Sequence, residues 1–113
     1  MFHSSQRAPD GRPLIEVLEA AASPAGLELN GTACVYEGTV FVETCEPSGT
    51  VQTHSAQATA GGPSRGKWSI TLECPPDTLV LIGSEDTERG GLIQGATVRL
   101  RVAEDGAVHE VAL

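Results

Sequence analysis

Hydrophobic and polar residues alternate along most of this chain with a period of two. Trp68, Ile70, Leu72 and Cys74 are separated by Ser69, Thr71 and Glu73. That pattern predicts a strand with one buried and one wet face. Pro75-Pro76-Asp77 ends it, because proline cannot continue a central ladder. In TVFVETC, Val40 and Val42 point one way and Phe41 and Glu43 the other, after TACVY and a break at Glu37-Gly38. Thr78 to Ile82 reads as an unbroken apolar run, expected of a strand buried on both sides. TVQTHSAQATA alternates small and polar residues, which suits a sheet edge or an exposed sheet. Turn signals stand at Asn30-Gly31, at Pro47-Ser48-Gly49 and in the breaker-rich GGPSRGK.

The two ends depart from this rhythm. Residues 1–12 are polar and predict a flexible arm. From Pro13, PLIEVLEAAA places Leu14, Val17, Leu18 and Ala21 on one helical face, and Ala20 to Ala22 favour helix. A short helix at about 13–22 is therefore expected, with LIEVL as an edge strand the competing reading. At the other end, ATVRLRV and AVHEVAL flank Asp105-Gly106, a hairpin signal. A two-residue turn there predicts Val102 opposite His109, Leu100 opposite Val111 and Val98 opposite Leu113, with Arg101 opposite Glu110 on the other face. That register makes the C-terminal residues part of a strand.

Six or seven strands, with turns every eight to twelve residues, predict a mainly β fold: a single antiparallel β-sandwich or small barrel over residues 13–113. A chain of 113 residues suits one domain and can bury a core without metal or disulfide staples. No apolar run approaches the ~18 residues of a membrane span. MFHSSQRAPDGRP has no apolar stretch of signal-peptide type. The expected location is the cytoplasm or a virion, or outside the cell if a leader has been removed. Seven basic residues face fifteen acidic ones, for a net charge of -8, and the basic residues are scattered. Nucleic acid and anionic membranes are poor partners for such a surface. The three cysteines, Cys34, Cys45 and Cys74, have neither C-x-x-C nor zinc-like spacing, and read as reduced thiols with a Cys34–Cys45 bridge left open.

The stretch LELNGTACVYEGTVFVE, then SGTVQT, GKWSITL, TLVLIGSEDTERGG and ATVRLRV, resembles bacterial immunoglobulin-like modules. The carrying residues are Gly31-Thr32-Ala33, Val40 and Val42, Gly66 and Trp68, and Asp86 with Gly90. GKWSITLECPPDTLVLI is also similar to the strand–Pro–strand unit of transthyretin-like, carboxypeptidase-regulatory-like sandwiches. The resemblance covers about residues 27–103 and implies a seven-stranded sandwich, a fold that hosts many unrelated roles.

Chemistry is sparse. His54 and Ser55 are adjacent, so on a strand they point to opposite faces and cannot act on each other. His109 is expected on the inner face of the last hairpin, and no G-x-S-x-G is present. The glycine-rich segments follow no phosphate-cradle pattern. No cofactor is expected. The best metal candidates are Glu85, Asp86 and Glu88 in one acidic loop, since calcium takes carboxylate oxygens. The interaction candidates are Tyr36, His54 and Trp68.

The expected function is therefore a non-enzymatic structural or protein-interaction module. It would be a subunit of a larger assembly such as a virion or tail, working through a protein partner or as a homo-oligomer. The runners-up are a glycan- or calcium-binding module, a small enzyme on a β scaffold using His54 or His109, and an acidic mimic of nucleic acid.

Overall fold

The computed structural model describes residues 1–23, 26–86 and 88–111. Nine strands form among the described residues: β1 (Phe2–His3), β2 (Ile15–Ser23), β3 (Gly26–Ala33), β4 (Thr39–Cys45), β5 (Val51–Gln57), β6 (Gly66–Leu72), β7 (Leu79–Glu85), β8 (Leu92–Val102) and β9 (Val108–Glu110). They build two antiparallel sheets, ordered β1-β2-β3-β6 and β5-β4-β7-β8-β9. The inward positions of both sheets close one core. Ile15, Val17, Leu27, Leu29, Trp68 and Leu72 come from the first, and Val40, Val42, Val80, Ile82, Val98 and Leu100 from the second. The alternation read in β4 and β6 is the alternation observed.

The expected helix at 13–22 is instead the first half of a hairpin. β2 pairs with β1 on one side and β3 on the other, and the described residues contain no α-helix. Its spacing mimics a helix because a bulge interrupts the register between Val17 and Glu19. One extra residue there shifts the inward set from Ile15 and Val17 to Ala20 and Ala22, mixing steps of two and three. Leu18, assigned to the helix's apolar face, is the bulged residue and is 42% exposed. A lone helix of this length is marginal, whereas the strand has both its neighbours to pair with.

The N-terminal segment, expected as a flexible arm, is laid against the sandwich by its own polar groups. Phe2 and His3 pair with Val17 and Glu16. The fully buried Ser4 hydroxyl accepts the Ile15 N–H at 3.1 Å and donates to the Gln6 carbonyl. Gln6 N–H reaches the Gly95 carbonyl at 2.7 Å, which ties the segment to β8 in the opposite sheet.

Two smaller expectations are corrected. At the start of β7, Val80 and Ile82, with Thr78 just before the strand, are buried while Leu79 and Leu81 are half-buried, so the run is two-faced rather than sealed on both sides. The last hairpin is shifted by one residue: Val102 pairs with Val108, Arg101 with His109 and Leu100 with Glu110. The loop holds Glu104, Asp105 and Gly106, closed by Ala103 N–H to the Ala107 carbonyl at 2.8 Å. Gly106 takes the left-handed φ of 86° that such three-residue loops place at their last position. A one-residue slip exchanges the faces, and His109 is accordingly exposed rather than inward. Leu113 lies outside the described residues.

Candidate functional site

β5 is the outermost strand of the five-stranded sheet, and its register with β4 runs without a bulge from Val51 to Gln57. Flanking bonds fix which of its peptide groups are used. Ala58 N–H donates to the Gly38 carbonyl at 2.8 Å, and Glu46 N–H to the Thr50 carbonyl at 2.9 Å. Bonded and non-bonded pairs alternate in an antiparallel ladder. The pairs Val40–Ala56, Val42–His54 and Thr44–Gln52 therefore exchange bonds. The N–H and C=O groups of Val51, Thr53, Ser55 and Gln57 point away from β4, and no other strand among the described residues pairs with β5. These four residues are also exposed; the row continues to Thr59, whose N–H is taken by the Lys67 carbonyl of β6, so its open part is Val51, Thr53 and Ser55, with Gln57 beside β6.

The other free edges are shorter or partly covered, β6 at Lys67 alone with Ser69 and Thr71 as its remaining outward positions. β1 has two residues and β9 three. On β6, Lys67 N–H is taken by Thr59 Oγ1 at 2.9 Å and its carbonyl by Thr59 N–H at 2.9 Å. β5 lies within residues 47–64, which contain no Asp, Glu, Lys or Arg, in a chain of net charge -8. Charges, prolines and bulges are the usual guards of an edge strand, and β5 carries none of them.

A second polar feature fastens the fold. The Arg65 guanidinium grips Asp10 through Nε at 2.8 Å and Nη2 at 3.1 Å, and also reaches the Pro13 carbonyl at 2.8 Å and Thr32 Oγ1 at 3.0 Å. Thr32 in turn donates to Glu16 at 2.6 Å, and Arg12 pairs with the same carboxylate. Hydrogen bonding to Arg65, reinforced by Arg12 N–H, lowers Asp10 to a pKa of about 2. Burial opposes ionisation of Glu16, but hydrogen bonds from Thr32 and Arg12 and the charges of Arg12 and Arg65 hold its carboxyl below the ordinary range. The hydrogen bond to Asp10 raises Arg65 against its own desolvation. The cluster stitches the N-terminal segment to β2, β3 and the loop before β6. Sequence reading missed it because Arg65 and Asp10 are far apart in the chain and Arg65 lies in a segment that reads only as turn chemistry.

The predicted site residues are dispersed. Trp68 is 3% exposed and lies in the core, its indole N–H without a hydrogen-bond partner among the described residues. Tyr36 is 73% exposed on the turn between β3 and β4. It shares a pocket of about 110 Å³ with Phe41 and Glu85. His54 is half-buried on β5, opposite Val42 and so on the core side of the sheet. The acidic loop is organised as a turn: Asp86 Oδ1 accepts the N–H groups of Glu88 at 3.0 Å and Arg89 at 3.1 Å. Glu85, Asp86 and Glu88 do not gather as a set, and no group of three His, Cys, Asp or Glu suited to a metal occurs among the described residues.

All three cysteines are free thiols, so the bridge left open between Cys34 and Cys45 is not formed. Cys34 Sγ donates to the Pro63 carbonyl at 3.3 Å. Cys74 borders a cleft of about 440 Å³ at one end of the sandwich, with Glu46, Glu73 and Gln52. Burial, then the Glu46 charge, pushes the Cys74 thiol up, away from the thiolate that nucleophilic chemistry requires.

A family model described as the immunoglobulin-like domain of bacterial spore germination, Gmad2, matches residues 8–91. It bears out the immunoglobulin-like side of the resemblance. It also begins well before residue 27, taking in the clasp residues Asp10, Arg12 and Glu16 and the β2 strand. Comparison with curated proteins and with solved structures returned no match.

Proposed function

Since the chain belongs to the Gmad2 family of immunoglobulin-like domains, we propose that it is a non-catalytic interaction module that accepts a strand from another polypeptide at the β5 edge. The observation that carries this reading is the outward row of peptide groups at Val51, Thr53 and Ser55, unguarded by charge. Strand addition draws affinity from main-chain hydrogen bonds and specificity from alternate side chains. Beyond Val51 the edge carries Thr, Ser and Gln, so it adds little apolar burial and the contact is reversible and register-dependent. The family description supports a spore-associated or extracellular place, where the sequence reading gave the cytoplasm or a virion, or outside the cell if a leader has been removed.

The test is position-specific photo-crosslinking in the native host. A benzophenone amino acid at Thr53 is expected to give a discrete adduct, while the same group at Glu28, exposed on the other sheet, gives none. Adducts formed at Glu28 but not at Thr53 would overturn the reading.

A further inference from the structure

We infer that the pocket between Tyr36 and Phe41 receives the lysine side chain of a partner polypeptide. It is a separate site from the β5 edge, and its chemistry does not depend on strand addition.

The first observation is the lining. Tyr36, Glu37, Thr39, Phe41, Ser84 and Glu85 enclose about 110 Å³. Two of the chain's four aromatic residues meet two carboxylates here, and no Lys, Arg or His is among the lining residues. Aromatic rings attract a cation through their negative faces, and a carboxylate beside them adds to that attraction. Neither Glu37 nor Glu85 forms an ion pair among the described residues, where the pairs are those of Arg12 with Glu16 and of Arg65 with Asp10 and Glu16. Tyr36 is largely exposed, so its ring is accessible to a partner. The pocket is thus built for a positive charge and holds none of its own. The chain's net charge of -8 draws a basic partner and opposes an acidic one.

The second observation is size. Sites that bury a small molecule run to about 300–1,000 Å³. A pocket of about 110 Å³ is well short of that. At roughly 30 Å³ per water it has room for about four, or for the last few atoms of one side chain. It therefore suits a single side chain carried by a larger partner, not a whole free ligand.

The third observation is arrangement. Glu37 stands in the turn before β4, and Glu85 ends β7. Carboxylates from two separate elements suit an ammonium, whose three donors radiate, better than the planar fork of a guanidinium, which matches one carboxylate. The turn is already fixed. Gly38 N–H donates to the Val35 carbonyl at 2.9 Å, and Gln57 Nε2 to the Glu37 carbonyl at 2.6 Å. The backbone carrying Tyr36 and Glu37 is held in place before a ligand arrives, which lowers the ordering cost of binding.

Nuclear magnetic resonance titration of the purified chain tests this, with acetyl-Gly-Lys-Gly-amide as the probe. Its norleucine counterpart, which lacks the ammonium, is the control. The lysine peptide is expected to saturate, with amide shifts gathered at 35–41 and 84–86. The norleucine peptide is expected to produce no saturable shift. Tyr36→Leu is expected to weaken lysine binding about threefold or more, while Tyr36→Phe, which keeps the ring, retains it. Both changes fall on an exposed side chain, so the rest of the spectrum is expected to stay in place. Equal binding of the two peptides, shifts scattered over the other acidic loops, or an unweakened Tyr36→Leu variant would each overturn the site. The source of the amine is read in extracts of the native host, where a carbodiimide condenses a carboxylate with an amine to an amide, with loss of water to the carbodiimide. Mass spectrometry is expected to find Glu37 or Glu85 joined to a lysine of another polypeptide, and joined less in Tyr36→Leu. Linkage to a free small amine instead would overturn the polypeptide partner. A chain that ignores the lysine peptide but gives the Thr53 photo-adduct loses this site alone and keeps the edge-binding reading.

Discussion

A Cβ placed on Gly31 would stand 1.8 Å from the carbonyl oxygen of Glu16 on the neighbouring strand. The two residues lie beside the β2 bulge, where the extra residue presses the β2 backbone towards β3. Only a residue without a side chain fits, and the obstacle is backbone, which cannot rotate away. Gly31→Ala is therefore expected to destabilise the fold by about 1–3 kcal/mol or more, as overpacking of a rigid site does. Urea unfolding of the purified variant measures it. A loss under about 1 kcal/mol would mean that β2 is free to move off β3.

The Arg65 clasp makes stability depend on acid pH. Asp10 is lowered from 3.8 to about 2 in the folded chain, so on acidification the unfolded chain takes up this proton first. The contribution is therefore whole above 3.8 and is lost as the pH falls through about 2. Glu16 is shifted in the same direction and adds to the same acid-side loss. Asp10→Asn is expected to lower Tm at neutral pH and to converge with the parent near the folded-state value. Arg65→Lys should behave similarly at neutral pH, because an ammonium cannot replace the fork that holds Asp10 while also reaching Thr32 and Pro13. Calorimetry across the acid range decides it: parallel curves at all pH values would remove Asp10 as the source.

What the sequence shows and hides follows from how far each signal reaches. β4 and β6 are legible because an uninterrupted strand writes its two faces as strict alternation, and Val40, Val42, Trp68 and Leu72 are buried as that pattern predicts. The edge character of β5 is legible in its small polar residues, although its peptide parity is not, since that depends on the partner strand. β2 misleads because one bulged residue converts period two into helix-like spacing. The clasp is invisible because its ion pair joins residues 10 and 65, and neither local sequence contains a hint of the other. Of the site candidates, Tyr36 is exposed, while Trp68 is in the core, where its place in an amphipathic strand already put it.

The fold's use of its N-terminal segment is tested at Ser4. Its hydroxyl accepts the buried Ile15 N–H at 3.1 Å while donating to Gln6. Ser4→Ala leaves that amide without its side-chain acceptor in a site closed to water, an omission that costs about 1–3 kcal/mol. Denaturant unfolding is expected to show a loss in this range, and deletion of residues 1–12 a larger one. If the deletion is neutral, the segment contributes nothing to the fold's stability.

The last hairpin offers a sharper test, because two registers predict opposite outcomes for adjacent residues. In the structure Val108 is half-buried opposite the buried Val102, and His109 is exposed opposite Arg101. The alternative two-residue turn at Asp105-Gly106 would put His109 inward and Val108 outward. Under the observed register, Val108→Asp sets a carboxylate against Val102 at the margin of the core and is expected to cost about 2 kcal/mol. His109→Asp places an acid beside Arg101 on the wet face and is expected to change stability by no more than about 0.5 kcal/mol. The other register reverses this order. Because both variants add the same carboxylate one residue apart, differences in net charge largely cancel between them, and the ranking of their unfolding midpoints reports which face each position occupies.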